Sequence, residues 1–281
     1  MEELLKRHKK GIEAIILTPP KVIIFDWHST LVDTLEAMYH AVDDTIAEFG
    51  ELGLMDRLTP QGESKTKEDG KLVDYVRKHH KLHPKIKEQG KISRTDIFEI
   101  LFDGDKEAKK IAHAAFDDNY RKHFGEIHPF EEGIEEMLAN LQGRGIKLAV
   151  LTNRNREFLR HEIKKIGING WSHHFETSVC GDEVENRKPA PDPILKAVEK
   201  MNEHADKSCW YVGDSTTDTA CAKAAGVTNI FYNGAQWKGD WLKKIFPNTD
   251  KHPHMPDAVV NDFKEFMRLV ETNLASVPAK S

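Results

Sequence analysis

Cysteine is scarce in this 281-residue chain. Cys180, Cys209 and Cys221 are odd in number and lack the paired short spacing of a zinc site or a secreted disulfide framework. They point to a reducing compartment, with the cytoplasm as the expected location. Long hydrophobic runs are lacking too. The apolar stretch at 12–17 contains Glu13 and stops at Pro19 and Pro20, too short to span a bilayer. The basic run before it, 6–10, has the charge of a signal peptide's start, but no adequate apolar core or cleavage site follows. Residues 1–20 are therefore read as an amphipathic helical leader on the surface. Nor is there an excess of one charge. Forty-one Lys and Arg against 46 Asp and Glu leave −5, which argues against a general nucleic-acid or membrane binder and makes any anion site local. With 18 Gly, 12 Pro and 39% hydrophobic residues, neither a collagen-like repeat nor wholesale disorder fits.

What remains is a rhythm of short apolar runs and helical patterns, long enough for about two domains or for one domain with an insertion. Residues 21–27 (KVIIFDW) and 147–153 (KLAVLTN) predict buried parallel strands, and 177–180, 209–214, 228–233 and 257–260 continue the series. Helical patterns fall between them at 131–142, 155–166, 191–202, 217–225 and 261–273. Alternation of this kind predicts an α/β fold with a Rossmann-like parallel sheet. The stretch 37–128 breaks it, offering helical periodicity and no convincing buried strand. The expected organisation is a leader (1–20), an α/β core (21–36 and 129–273), a helical insertion (37–128) and a tail (274–281). Between Asp56 and Arg94 stand eleven Lys or Arg against six Asp or Glu, with His79, His80 and His83 added. That run reads either as a solvated helical face or as a lid attracting an anionic substrate.

Ligands of open parallel sheets bind beyond the carboxyl ends of the strands. Those ends carry Asp26, then Thr152 with Asn153, then Lys188 in a following loop, then Asp214 and Asp218. A lone aspartate there is weak evidence, because it often caps the next helix. Together they would supply three carboxylates, one cation and hydrogen-bond donors. Crowded carboxylates repel one another unless a cation is present, and hard oxygen ligands favour Mg²⁺. Such a site suits a phosphoryl group, with one carboxylate as nucleophile.

Phe25-Asp26-Trp27-His28-Ser29-Thr30-Leu31-Val32-Asp33-Thr34 and Leu151-Thr152-Asn153 resemble motifs of the haloacid dehalogenase superfamily, in particular its phosphoglycolate phosphatase-like branch. The likeness continues, in the family's order, through Gly181-Asp182-Glu183, Arg187-Lys188-Pro189 and Val212-Gly213-Asp214-Ser215-Thr216-Thr217-Asp218. It implies a helical cap inserted after the first motif and a small phosphorylated metabolite as substrate. Asp26 is implied as the nucleophile and as a Mg²⁺ ligand. Asp214 and the main-chain carbonyl of His28 would complete the ligands, and Asp218 would support the ion from nearby. Thr152, Asn153 and Lys188 would contact phosphate, Lys188 also steadying the nucleophile. Asp218 has a plainer reading as a helix-start carboxylate. The sequence leaves oligomeric state open and is compatible with a monomer.

One departure stands out. Phosphatases of this family carry a second aspartate two positions after the nucleophile, and this chain has His28 there. General acid-base help is worth about 10²–10⁴ in rate. Three outcomes stay open: His28 does the proton work itself; the aspartyl-phosphate forms but resolves slowly, as in phosphotransferases; or the chain binds phosphate without turnover. A phosphonate hydrolase and a metal-free dehalogenase are further alternatives, the latter disfavoured by Asp214 and Asp218. A plainer role for His28 is packing beside Trp27. The other histidines, His173, His174, His252 and His254 among them, show no partner set in the sequence, and Trp237 and Trp241 read as packing anchors.

Overall fold

The computed structural model describes residues 1–2, 4, 11–89, 94–123, 126–249 and 253–276. The basic run of the expected leader and the end of the expected tail lie outside the described residues. The chain divides into two compact units, Met1–Asp33 with His128–Ser281, and Thr34–Ile127. The sequence-based division lay one to three residues further on, because the insertion's first helix, Leu35–Ala47, already begins two residues after Asp33.

The first unit is built on six parallel strands: β1 (Val22–Asp26), β4 (Lys147–Thr152), β5 (Thr177–Cys180), β6 (Cys209–Gly213), β7 (Thr228–Tyr232) and β8 (Ala258–Val260). Their spatial order is β5-β4-β1-β6-β7-β8. β1 is buried along its whole length, as expected of an aliphatic strand covered on both faces. The chain runs from β1 outward through β4 and β5, then crosses back to β6 on the other side of β1. The strand order thus reverses at β1, and the carboxyl end of β1 is the place where such sheets bind ligands. Several predicted strands overran by one residue, to Trp27, Asn153 and Asp214, where the chain turns and the side chains leave the ladder.

Where the chain leaves and re-enters this unit, β2 (Val32–Asp33) and β3 (His128–Pro129) form a short antiparallel ribbon. Ser29 precedes it with φ +61. The expected surface leader does not match the described residues 11–20. Only Ile12–Ala14 form a single 3-10 turn, and Ile12 and Ile15 are buried. Asn273 of the last helix, Phe263–Ala275, accepts from Leu17 N (2.6 Å) and donates to Ile15 O (3.1 Å), so this segment is part of the core. Trp237 stacks against Phe231, and Trp241 follows in a short helix, Gly239–Ile245, that the sequence reading did not anticipate.

The second unit is helical, with Leu35–Ala47, Lys67–His79, Pro84–Gln89, Arg94–Phe102 and Lys106–Tyr120. Phe49, Phe98, Phe102, Phe116 and Tyr120 fill its interior. Part of the basic run is paired inside this unit: Arg57 with Asp105 (2.6 Å), Lys65 with Asp103 (2.8 Å) and Arg77 with Asp74 (3.2 Å). Lys78, Lys81 and Lys85 are exposed. Among the described residues no helix is long and apolar enough to cross a membrane.

Candidate active site

Asp26 closes β1, and the next motif brings it a cation. Lys188 is buried, and its ammonium donates to Asp26 Oδ1 (2.6 Å), to Asp218 Oδ1 (2.7 Å) and to the Tyr211 hydroxyl (3.1 Å). A buried charge is tolerated only when paired and hydrogen-bonded, and three acceptors exhaust the three donors of an ammonium. Burial works against the charged form of Lys188, but Asp218 and Asp26 outweigh it and hold the ammonium well above its usual range.

Asp218 is saturated with donors. Its Oδ1 accepts from Lys188 and the Tyr211 hydroxyl (2.8 Å), and its Oδ2 from Ser215 N (3.1 Å) and the Ser215 hydroxyl (2.5 Å). With Ser215 it forms a capping box on the helix Thr216–Ala224, so it is a helix-start carboxylate and a member of the cluster at once. Gly213 permits this approach, since a Cβ there would lie 2.5 Å from Asp218 Cγ. Burial pushes Asp218 upward, but Lys188, Ser215 and Tyr211 prevail and hold it below the ordinary carboxylate range.

Asp26, Asp214 and Asp218 each offer a carboxylate oxygen within 4.8 Å of the others. One lysine cannot neutralise three carboxylates. Burial, with Asp218 adding to it against Lys188, raises Asp26 to about 6. Burial and the charges of Asp218 and Asp26 push Asp214 well above its usual value. Uncompensated negative charge on hard oxygens is what a Mg²⁺-sized ion would relieve, so the donor set fits that ion.

The other side of the β1 terminus is organised by a residue that the sequence reading missed. Glu162 lies in the helix Arg156–Lys165 on its buried stripe with Phe158, Leu159 and Ile163. A carboxylate on an apolar stripe is the signal that could have revealed it. It accepts from Trp27 Nε1 (2.8 Å) and contacts His28 Nε2 (3.0 Å), and Arg154 Nη1 lies 3.6 Å away. An ionised carboxylate only accepts, so His28 carries its proton on Nε2. Nδ1 is then free to accept from the Thr152 hydroxyl at 3.3 Å. Burial, together with Arg154, lowers His28 to about 4 despite Glu162. The ring therefore does not pack idly beside Trp27: both of its nitrogens are engaged.

Thr152, at the end of β4, also accepts from Arg154 N (3.1 Å). Asn153, expected as a phosphate contact, has both of its amide heavy atoms on the Lys188 main chain: Oδ1 accepts from Lys188 N (2.9 Å) and Nδ2 donates to Lys188 O (3.1 Å). A side-chain amide can mimic a peptide partner in this way, and here it fixes the loop that delivers the lysine. In the loop before it, Arg187 Nε donates to Gly181 O (3.0 Å), and Asp182 accepts from Arg156 N (2.8 Å). Tyr211 was missed because nothing in CWYVGD distinguishes a tyrosine with a buried polar task from a core residue.

Known proteins resemble this chain in sequence and in fold. The family model described as haloacid dehalogenase-like hydrolase matches residues 23–232. The chain is 32% identical to the phosphoglycolate phosphatase of Escherichia coli K12 over 131 residues, 44% of this chain and 48% of that protein, and so spans about half of that relative's length. It is 28% identical to the phosphoglycolate phosphatase of Thiobacillus denitrificans over 213 residues, 74% of this chain and 81% of that one. A solved haloacid dehalogenase-superfamily hydrolase from Ehrlichia chaffeensis shares the fold, with a TM-score of 0.52 at 19% identity over 92% of this chain and 99% of that one. Since the matched span runs from β1 to β7, three quarters of the chain, and takes in the ends of β1, β4, β5 and β6, the chain belongs to the haloacid dehalogenase-like hydrolase family.

Proposed function

We propose that the protein is a Mg²⁺-dependent phosphatase of a small phosphorylated metabolite, working through an aspartyl-phosphate on Asp26. The observation that carries this reading is the meeting of Asp26, Asp214 and Asp218 around a single lysine. Asp26, Asp214 and the His28 main-chain carbonyl would hold the ion, with Asp218 behind them; when bound, it supplies positive charge to the phosphate oxygens. Asp26 attacks phosphorus, the bond to the leaving oxygen breaks, and that oxygen takes a proton from solvent. Water then attacks the aspartyl-phosphate, releasing inorganic phosphate and restoring the carboxylate. Lys188 keeps Asp26 aimed and its charge balanced, Asn153 holds the Lys188 main chain, and the Thr152 hydroxyl turns to the phosphate. The relatives named phosphoglycolate phosphatase support the substrate class. The three buried, free thiols suit a reducing compartment such as the cytoplasm.

His28 has a positioning role in this reading, because Glu162 and Thr152 take both of its nitrogens. Without a proton donor at this position, leaving groups that need little protonation are favoured, and alkyl esters turn over slowly. The test compares an aryl with an alkyl phosphate, each with and without Mg²⁺. Mg²⁺-dependent turnover is expected on both, with the alkyl ester slower by about 10²-fold or more. Equal rates would restore His28 as a proton shuttle. No metal-dependent turnover on either would leave a phosphate-binding protein.

A further inference from the structure

Outside the carboxylate cluster, the helix Ile134–Gly143 and the turn Ser172–His174 bring together Glu135, His173 and His174, each offering a ligand atom within 4.8 Å of the others. His174 is buried, at 4% exposure. Gln142 Nε2 donates to His173 O (3.4 Å), which orients the amide, and its Oε1 meets His174 Nδ1 at 2.8 Å. An amide oxygen only accepts, so His174 carries its proton on Nδ1 and presents a bare lone pair at Nε2. That nitrogen is buried and has no hydrogen-bond partner among the described residues. It faces Glu135 Oε1 at 4.0 Å, too far for a hydrogen bond. Two acceptors thus face each other across a gap that a cation could bridge.

We propose that Glu135, His173 and His174 bind a divalent transition-metal ion of the zinc class, with the Gln142 amide orienting His174 from behind. Two imidazoles and one carboxylate suit Zn²⁺, Co²⁺ or Ni²⁺ and not Mg²⁺. A ligating imidazole that donates its other N–H to a carbonyl oxygen is the usual arrangement around such ions. His173 is exposed and Glu135 partly so, and water would complete the coordination. The bound ion would tie the first turn of the helix to a turn whose neighbour Trp171 packs edge-on against Trp27 at 6.1 Å, one residue from Asp26. The ion would brace the sheet end without taking part in phosphoryl transfer.

The test is Zn²⁺ and Co²⁺ titration of the full chain, free of any purification tag and in excess Mg²⁺ so that the Asp26 cluster is filled. Calorimetry, the absorption of bound Co²⁺ and quenching of tryptophan fluorescence provide readouts besides activity. One tight equivalent is expected, weakened about 100-fold by His174→Gln and about 10-fold by Gln142→Leu. The Glu135 side chain is half-buried, at 45% exposure, so Glu135→Gln keeps the fold and should also weaken binding. The group formed by His40, His123 and Glu126 is the internal control, and His40→Gln should change nothing. Uptake unchanged in both His174→Gln and Glu135→Gln, or lost in His40→Gln instead, would overturn the proposal.

Discussion

The two sides of the β1 terminus solve the problem of buried charge in opposite ways. On one side, three carboxylates share one lysine, and the deficit shows in the raised values of Asp26 and Asp214. On the other, the single carboxylate of Glu162 meets an indole N–H, an imidazole N–H and a nearby guanidinium, and its charge is balanced. A balanced cluster holds its own shape, whereas an unbalanced one attracts positive charge. In the proposed reading, the difference separates the part of the site that takes the ion from the part that stays still.

That contrast can be broken most forcefully at Lys188. Lys188→Met leaves Asp26 and Asp218 buried beside each other with no cation, and should cost about 3–5 kcal/mol of stability in denaturant unfolding. Saturating Mg²⁺ should recover part of the loss. A change below about 1 kcal/mol would mean that the pocket is better solvated than its burial suggests.

On the balanced side, Glu162→Gln keeps an acceptor for Trp27 and His28 but removes the charge. It should cost about 1–3 kcal/mol, with a smaller effect on KM than on kcat because the ring steadying Thr152 is loosened. Unchanged stability and kinetics together would reduce Glu162 to a surface-like bystander.

The smallest expected effect is a pH dependence in which the two sides oppose one another. The folded value of Asp26, about 6, lies above its ordinary 3.8, so between these values this carboxyl holds more proton in the folded chain than in the unfolded one. Its contribution to metal-free stability is therefore lost as pH rises from about 4 to about 6, with Asp214 acting in the same direction, whereas His28, held at about 4 against its ordinary 6.5, acts oppositely; the fall should show in the difference between the parent and Asp26→Asn, which cancels the histidine. An ion relieves the repulsion, so the rise in Tm on adding Mg²⁺ should be larger at pH 7 than at pH 5. An equal or smaller rise at pH 7 would contradict the charge deficit.

The unbalanced side was largely legible in the sequence. Asp26, Lys188, Asp214 and Asp218 follow strands or a strand-end loop, and a doubly wound sheet brings successive strand ends to one edge whatever the details of packing. The balanced side was not, because Glu162 reaches His28 across 134 positions of chain through a helix face, and no local pattern encodes that contact. Asn153 shows the limit within a correctly located motif: its position at the end of β4 was readable, but its attachment to the Lys188 main chain depends on how a loop 35 residues away is laid down. Residues 11–20 misled for a related reason. Apolar Ile12 and Ile15 next to charged neighbours mimic an amphipathic helix, yet their burial is supplied by the core and their main chain is held by Asn273.

The central claim is that Asp26 takes a phosphoryl group. Its most direct test is acid quenching of the full chain during turnover of an aryl phosphate with Mg²⁺, followed by mass spectrometry of the protein and its peptides. A single added phosphoryl group is expected on the peptide containing Asp26, absent without Mg²⁺ and absent in Asp26→Asn, whose turnover should fall at least about 10⁴-fold. Mg²⁺-dependent turnover that persists in Asp26→Asn, or a phosphoryl group found on another residue, would contradict it.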